Sequence, residues 1–132
     1  VPVLRQFGAN AATDVTGFGL AGHLREMIEA SGVGAVVDVA AVPTLAGAAE
    51  ALAAGIESTL APANRLAVPL APAIMVDPQT SGGLLAAVPA GRASECVAAL
   101  AMQTPPLSAT APRGSICRST SDGPHSQRLR RR

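Results

Sequence analysis

A chain of 132 residues with 48% hydrophobic content is long enough for one domain with a real core and too apolar to be disordered throughout. Every basic residue is arginine, which excludes a Walker-type phosphate loop, a Schiff base and any other lysine-dependent catalysis within these residues. The net charge of +1 hides an asymmetry: residues 1–103 carry four Arg against eight Asp and Glu, whereas 104–132 carry six Arg against one Asp. With two Phe and neither Trp nor Tyr, the core must be built from aliphatic residues, which suits an alanine-rich α/β protein. Cys96 and Cys117 lack C-x-x-C spacing and no secretory leader accompanies them, so a cytoplasmic setting without a structural disulfide is expected. His23 and His125 are too far apart for a zinc site, and no apolar run reaches the roughly 18 to 20 residues of a membrane span.

Residues 1–9, Val-Pro-Val-Leu-Arg-Gln-Phe-Gly-Ala, carry no start signal and read as the end of an interdomain segment, with the α/β domain proper expected over 10–103. The stretch Ala12-Thr-Asp-Val-Thr-Gly-Phe-Gly-Leu-Ala-Gly-His-Leu24 places one carboxylate before a glycine-rich turn and an apolar-periodic segment. Leu20, Leu24, Met27 and Ile28 recur on one helical face and Ser31-Gly32 is a stop, so a helix is predicted from about Thr16, capped by the Thr16 hydroxyl. The open N–H groups of its first turn point where an anion could sit. Asp14 would repel a phosphate there unless a cation lay between them, and Mg2+, held by one or two carboxylates plus phosphate oxygens, fits that arrangement. Asp and Thr before a helix are equally common caps, and glycine there also allows close packing on a strand. Gly17-Phe-Gly19-Leu-Ala-Gly22 formally satisfies G-x-G-x-x-G, with Asp38 at the distance of a ribose-binding acid. It is not read as a dinucleotide site, because polar residues of Asn10–Thr16 precede it instead of a buried apolar strand and Asp38 sits within Val36-Val-Asp-Val39.

Further along, Val33–Val39 reads as a strand, and Pro43 as the first position of a helix with Leu45, Ala48, Ala49 and Leu52 inward and Gly55 as its stop. Residues 56–72 hold three prolines and read as a long loop whose most chemically interesting member is Asn64. Ala73–Asp77 reads as a buried strand, Pro78–Gly83 as a polar turn, and Leu84–Val88 as a second strand. Ala93–Met102 reads as a last amphipathic helix with Val97, Leu100 and Ala101 inward. Residues 104–132 are enriched in Pro, Ser and Arg and are expected to be a basic tail, disordered or out of frame. Arginine clusters can bind nucleic acid, but without aromatics to stack bases that partner is not expected.

Thr13-Asp-Val-Thr-Gly-Phe-Gly-Leu20 with Gly22-His-Leu24, followed by Asp77-Pro-Gln-Thr-Ser-Gly-Gly-Leu-Leu85, resembles the C-terminal domain of selenophosphate synthetase (selenide, water dikinase), a member of the aminoimidazole ribonucleotide synthetase-like superfamily. Gly55-Ile-Glu-Ser-Thr59 and Asn64 resemble that family's intervening loop, and the match covers about residues 8–102. The resemblance implies a mixed sheet with helices packed on it, and an enzyme that uses ATP and Mg2+ to make selenophosphate from selenide with release of AMP and phosphate. It implies Asp14 as a magnesium ligand, Thr13, Thr16, Gly17 and Gly19 as support for that site, and Gln79, Thr80, Ser81 and Gly82 as residues near it. The family's N-terminal domain, with its cysteine or selenocysteine, essential lysine and further aspartates, does not occur among these residues. No catalytic residue is therefore assigned in this chain, and turnover is expected only with that domain as partner, in a full-length enzyme that forms a homodimer. The closing Ile-Gly segment of the family is also missing after residue 103, which is the ground for expecting an out-of-frame tail. A related phosphotransferase acting on another substrate, and a non-catalytic fragment that keeps only the fold, are the alternative readings.

Overall fold

The computed structural model describes residues 2–79, 82–103 and, as backbone, 117–120. Residues 2–9 are part of the domain. Pro2–Gln6 forms helix α1, with proline at a first position where its missing N–H is not needed. Gly8, at φ +73°, ends α1: Gly8 N–H reaches Arg5 O and Ala9 N–H reaches Leu4 O, which satisfies the last carbonyls. Val3, Leu4 and Phe7 are buried together with Cys96 of the last helix, α6 (Ala93–Gln103), and Ala86, Val88 and Leu100 close around them. The expected interdomain segment is thus one wall of a hydrophobic core, because three of its nine residues have nowhere else to go.

Strand β1, Ala11–Asp14, follows directly. Helix α2 spans Gly19–Ser31 and ends at Gly32, whose φ of +64° and N–H bond to Glu29 O match the expected stop. Its start differs from the expectation. The position before Gly19 is Phe18, no side chain caps the helix, and the Thr16 hydroxyl is engaged elsewhere. Residues 16–19 form a turn instead, with Gly19 N–H on Thr16 O and Gly19 at φ +68°, a reversal that a helix starting at Thr16 could not contain.

Strand β2 is Gly34–Val37, and Asp38 stands just after it, its carboxylate accepting from Ala40 N–H to cap a short 3-10 turn over Val39–Ala41. Helix α3, Ala48–Ala53, starts five residues after Pro43, because the turn from Leu45 to Ala48 intervenes; Leu45 is 74% exposed and Ala49 is exposed rather than inward. Gly55 closes α3 as expected, at φ +80°. The expected loop 56–72 contains helix α4, Ala61–Ala67. Its Pro62 lies in the first turn, where proline is tolerated, so the prolines bracket the helix and do not break it. The expected strand over Ala73–Asp77 is a single helical turn, α5 (Ala73–Val76), and a short apolar run carries no periodicity that could have separated the two. Strand β3, Leu84–Ala87, therefore finds its partner in β1, in an antiparallel register that sets Ala11 against Ala87 and Asp14 against Leu84.

The tail contributes strand β4, Cys117–Thr120, antiparallel to β2 with Gly34 opposite Thr120, which corrects the expectation of an unstructured tail at those four positions. The rest of that expectation, over 104–116 and 121–132, lies outside the described residues. The α/β class holds, with helices plus strands that form two antiparallel pairs among the described residues. A second core joins α2 to α5, where Ala21, Met75 and Val76 are buried and Leu20, Val37, Val68 and Ile74 pack around them. Cys96 is a free, buried thiol, and no described helix is long and apolar enough to cross a membrane. Because Phe7 is 7% exposed and fastens α1 to α6, Phe7→Ala is expected to lower unfolding stability by about 3 kcal/mol, measured by denaturant titration of the whole chain.

Candidate functional site

Of the two glycine-bearing segments flagged in the sequence, Thr13–Leu20 and Asp77–Leu85, the described residues lie main chain against main chain. Val15 N–H donates to Gly83 O at 2.9 Å, which extends the β1–β3 pairing by one step, and Gln79 N–H donates to Thr16 O at 3.0 Å. Two glycines make this approach possible. A methyl group on Gly82 would stand 2.1 Å from Val15 O, and one on Gly19 would stand 2.8 Å from Met75 O and 2.9 Å from Asp77 O. Gly17 is different, with nothing within 4 Å of such a carbon; its contribution is its carbonyl. That carbonyl accepts from Asn64 Nδ2 at 2.8 Å, and the same nitrogen donates to Val76 O at 3.0 Å. Asn64, 8% exposed on α4, thus ties the first segment to Val76, the residue just before the second.

Asp14 occupies the last position of β1 and its side chain is exposed. It borders an open groove of about 670 Å³ together with Leu4, Arg5, Asn10, Thr13 and Leu84. Thr13 bonds through its hydroxyl to the Asp14 carbonyl at 3.2 Å, and Asp14 takes no part in capping α2, so the capping alternative falls. The Thr16 hydroxyl pairs with His23 Nε2 at 3.2 Å, one turn into α2. His23 is 7% exposed and tilts its ring against Phe18, with centroids 5.4 Å apart. Its Nδ1 lies 3.3 Å from a Glu26 carboxylate oxygen but makes no hydrogen bond. Gln79 turns its amide back onto Asp77, 3.3 Å from the carbonyl oxygen and 3.4 Å from the carboxylate. Of the expected site residues, Thr13, Asp14, Thr16, Gly17, Gly19, Gln79 and Gly82 come together at this junction, whereas Thr80 and Ser81 lie outside the described residues.

Sequence reading gave no role to His23 or Arg5. The G-H-L step that carries His23 was visible, but its seven-residue separation from Thr16 gains meaning only once α2 is known to start at Gly19. Arg5 reaches the groove only because α1 is folded onto the domain. The dinucleotide pattern stays rejected for a structural reason. A strand does precede the glycines and Asp38 does follow a strand end, yet β1 and β2 belong to different antiparallel pairs, so there is no parallel βαβ unit to hold a pyrophosphate. Among the described residues no three His, Cys, Asp or Glu side chains cluster as a metal site. Asp14 therefore offers one carboxylate, suited to a hard cation that takes its other ligands from phosphate oxygens, water or another domain.

The glycines separate two kinds of requirement, which mutation can resolve. Gly19→Ala is expected to lose more than about 2 kcal/mol from its left-handed backbone and its clash with the Met75–Asp77 main chain. Gly17→Ala is expected to change stability by less than about 0.5 kcal/mol, both read from thermal unfolding of the intact chain.

The family model described as AIR synthase related protein, C-terminal domain, matches residues 1–105. A selenide, water dikinase of Bordetella bronchiseptica is 46% identical over 105 residues, covering 70% of this chain and 29% of its own length. The selenide, water dikinase of Nitratidesulfovibrio vulgaris (strain Miyazaki F) is 43% identical over 97 residues, covering 65% of this chain and 28% of its own, and that of Escherichia coli K12 is 46% identical over 89 residues, covering 61% and 26%. The chain spans under a third of the length of these relatives. With the match running from α1 to the end of α6, the chain belongs to the family of AIR synthase related C-terminal domains, in the group represented by selenide, water dikinases.

Proposed function

We propose that this chain acts as the C-terminal part of a selenophosphate synthetase, which phosphorylates selenide at the expense of ATP and releases AMP and phosphate. The observation that carries the reading is the Asp14 carboxylate, exposed at the end of β1 over an open groove and backed by a junction of both motifs. A Mg2+ ion held there would neutralise charge on the phosphates, which is most of what phosphoryl transfer asks of its surroundings.

The chain's own residues supply presentation. Asp14 offers its oxygens. Thr13 ties down the Asp14 carbonyl, the 16–19 turn with its glycines sets where β1 ends, and Gln79 and Gly82 bring the second segment against it. The chain holds no lysine and the Cys96 thiol is buried, so the nucleophile-handling groups are assigned to the N-terminal domain of a full-length enzyme. Gln79, Thr80, Ser81 and Gly82 are assigned to nucleotide binding by the order of the motifs, and the whole enzyme is assigned as a cytoplasmic homodimer.

The test measures AMP released from ATP with selenide and Mg2+, by this chain alone and mixed with a separately expressed N-terminal domain of the same family. AMP is expected only in the mixture, and Asp14→Asn is expected to reduce it on the order of 100-fold. No AMP in any mixture, from a chain whose circular dichroism shows it folded, would leave a non-catalytic domain that keeps the fold.

A further inference from the structure

We infer that Asn64 is a positioning residue for the segment that presents Asp14, acting through main-chain carbonyls and not on a ligand; the inference rests on the Asp14 reading above. Among the described residues the buried polar side chains are His23 and Asn64. His23 bonds within its own neighbourhood, to Thr16 seven residues away. Asn64 reaches 47 residues back to Gly17 and 12 forward to Val76. Both amide hydrogens are consumed, each by a carbonyl that lies outside a regular helix or strand ladder: Gly17 in the turn before α2, Val76 at the end of the α5 turn.

A leucine would fill the same space without the desolvation cost of a buried amide, so packing alone does not account for asparagine here. What the amide adds is direction. Segment 15–17 is fixed at one end by Val15 N–H on Gly83 O and at the other by Asn64 on Gly17 O. Asp14 is the next residue out, and a site is only as well aimed as the shell that supports it. With the Asn64 bond gone, residues 16–18 keep one tether to the second segment, Gln79 N–H on Thr16 O. The neighbouring Arg65 supplies an internal control. It lies on the same helix and pairs at the surface with Glu57, with no hydrogen bond to either segment among the described residues.

The experiment titrates the full chain with Mn2+, as a stand-in for Mg2+, and reads free Mn2+ by electron paramagnetic resonance, with amide hydrogen exchange on the same samples. Asn64→Asp keeps the size and sets a carboxylate oxygen against the two carbonyls. It is expected to weaken Mn2+ binding on the order of tenfold, with helical circular dichroism retained and exchange faster at residues 15–19 but not within α6. Arg65→Ala is expected to leave both readouts unchanged. If Asn64→Asp does not fold, Asn64→Ser, which retains one donor, is read in its place, with a smaller loss of affinity expected. A folded Asn64 variant that binds Mn2+ as tightly as the unaltered chain would overturn the inference. If instead Asp14→Asn leaves Mn2+ binding unchanged, the Asp14 reading has failed, and the clamp is judged on exchange alone: unaltered protection at residues 15–19 in Asn64→Asp would overturn it as well.

Discussion

The domain is organised by one close approach, the main chain of residues 15–19 against that of residues 75–79 and 82–83. Backbone groups face backbone groups there, so little of the contact depends on side chains that could adjust. Gly82 over the Val15 carbonyl and Gly19 over Met75 and Asp77 are positions where no side-chain carbon fits. The hydrogen bonds that hold the approach, Val15 to Gly83, Gln79 to Thr16 and Asn64 to both sides, replace those the carbonyls and amides would have made to water. Buried polar groups left unpaired are costly, and that cost forces both strands of the junction into a single arrangement.

Everything that bears on function hangs from that arrangement. Strand β1 ends at Asp14 because Val15 is bonded to Gly83 and the chain must then turn through Gly17 and Gly19 into α2. The two hydrophobic cores brace the junction from separate sides: α1 and α6 close around Cys96 near β3, while α2 rests on α5 through Ala21, Met75 and Val76. A carboxylate exposed at the end of a strand, with helices packed behind it, is held by the rigid part of the fold. The role proposed for Asp14, holding a cation in place against mobile phosphates, would need that arrangement.

Asp14, the glycines, Gln79 and Asn64 were all legible as residues of interest, since acid, amide and glycine among aliphatic neighbours stand out in any reading. The stops at Gly32 and Gly55 were equally legible, because positive backbone angles there demand glycine whatever surrounds them. Helix starts were not. Thr16 resembles a cap and Pro43 a first position, yet the helices begin at Gly19 and Ala48, because turns intervene; the one before α2 is held by distant groups, Gln79 on Thr16 O and Asn64 on Gly17 O. The run Ala73–Asp77 reads as a strand on its apolar character; burial suits a strand and a helical turn alike, and in the structure Met75 N–H bonds to the Pro72 carbonyl.

By itself, then, the order of residues determined the candidates for the site, the class of fold and the places where helices must end, since each follows from the chemistry of a single residue or a short pattern. Tertiary structure alone decided which groups meet. That α1 belongs to the core, that α4 exists and delivers Asn64, that β3 pairs with β1, and that the two glycine segments lie face to face are all contacts between residues far apart in the chain. Their physical basis is burial and backbone pairing, which depend on what lies opposite and leave almost no trace in local sequence.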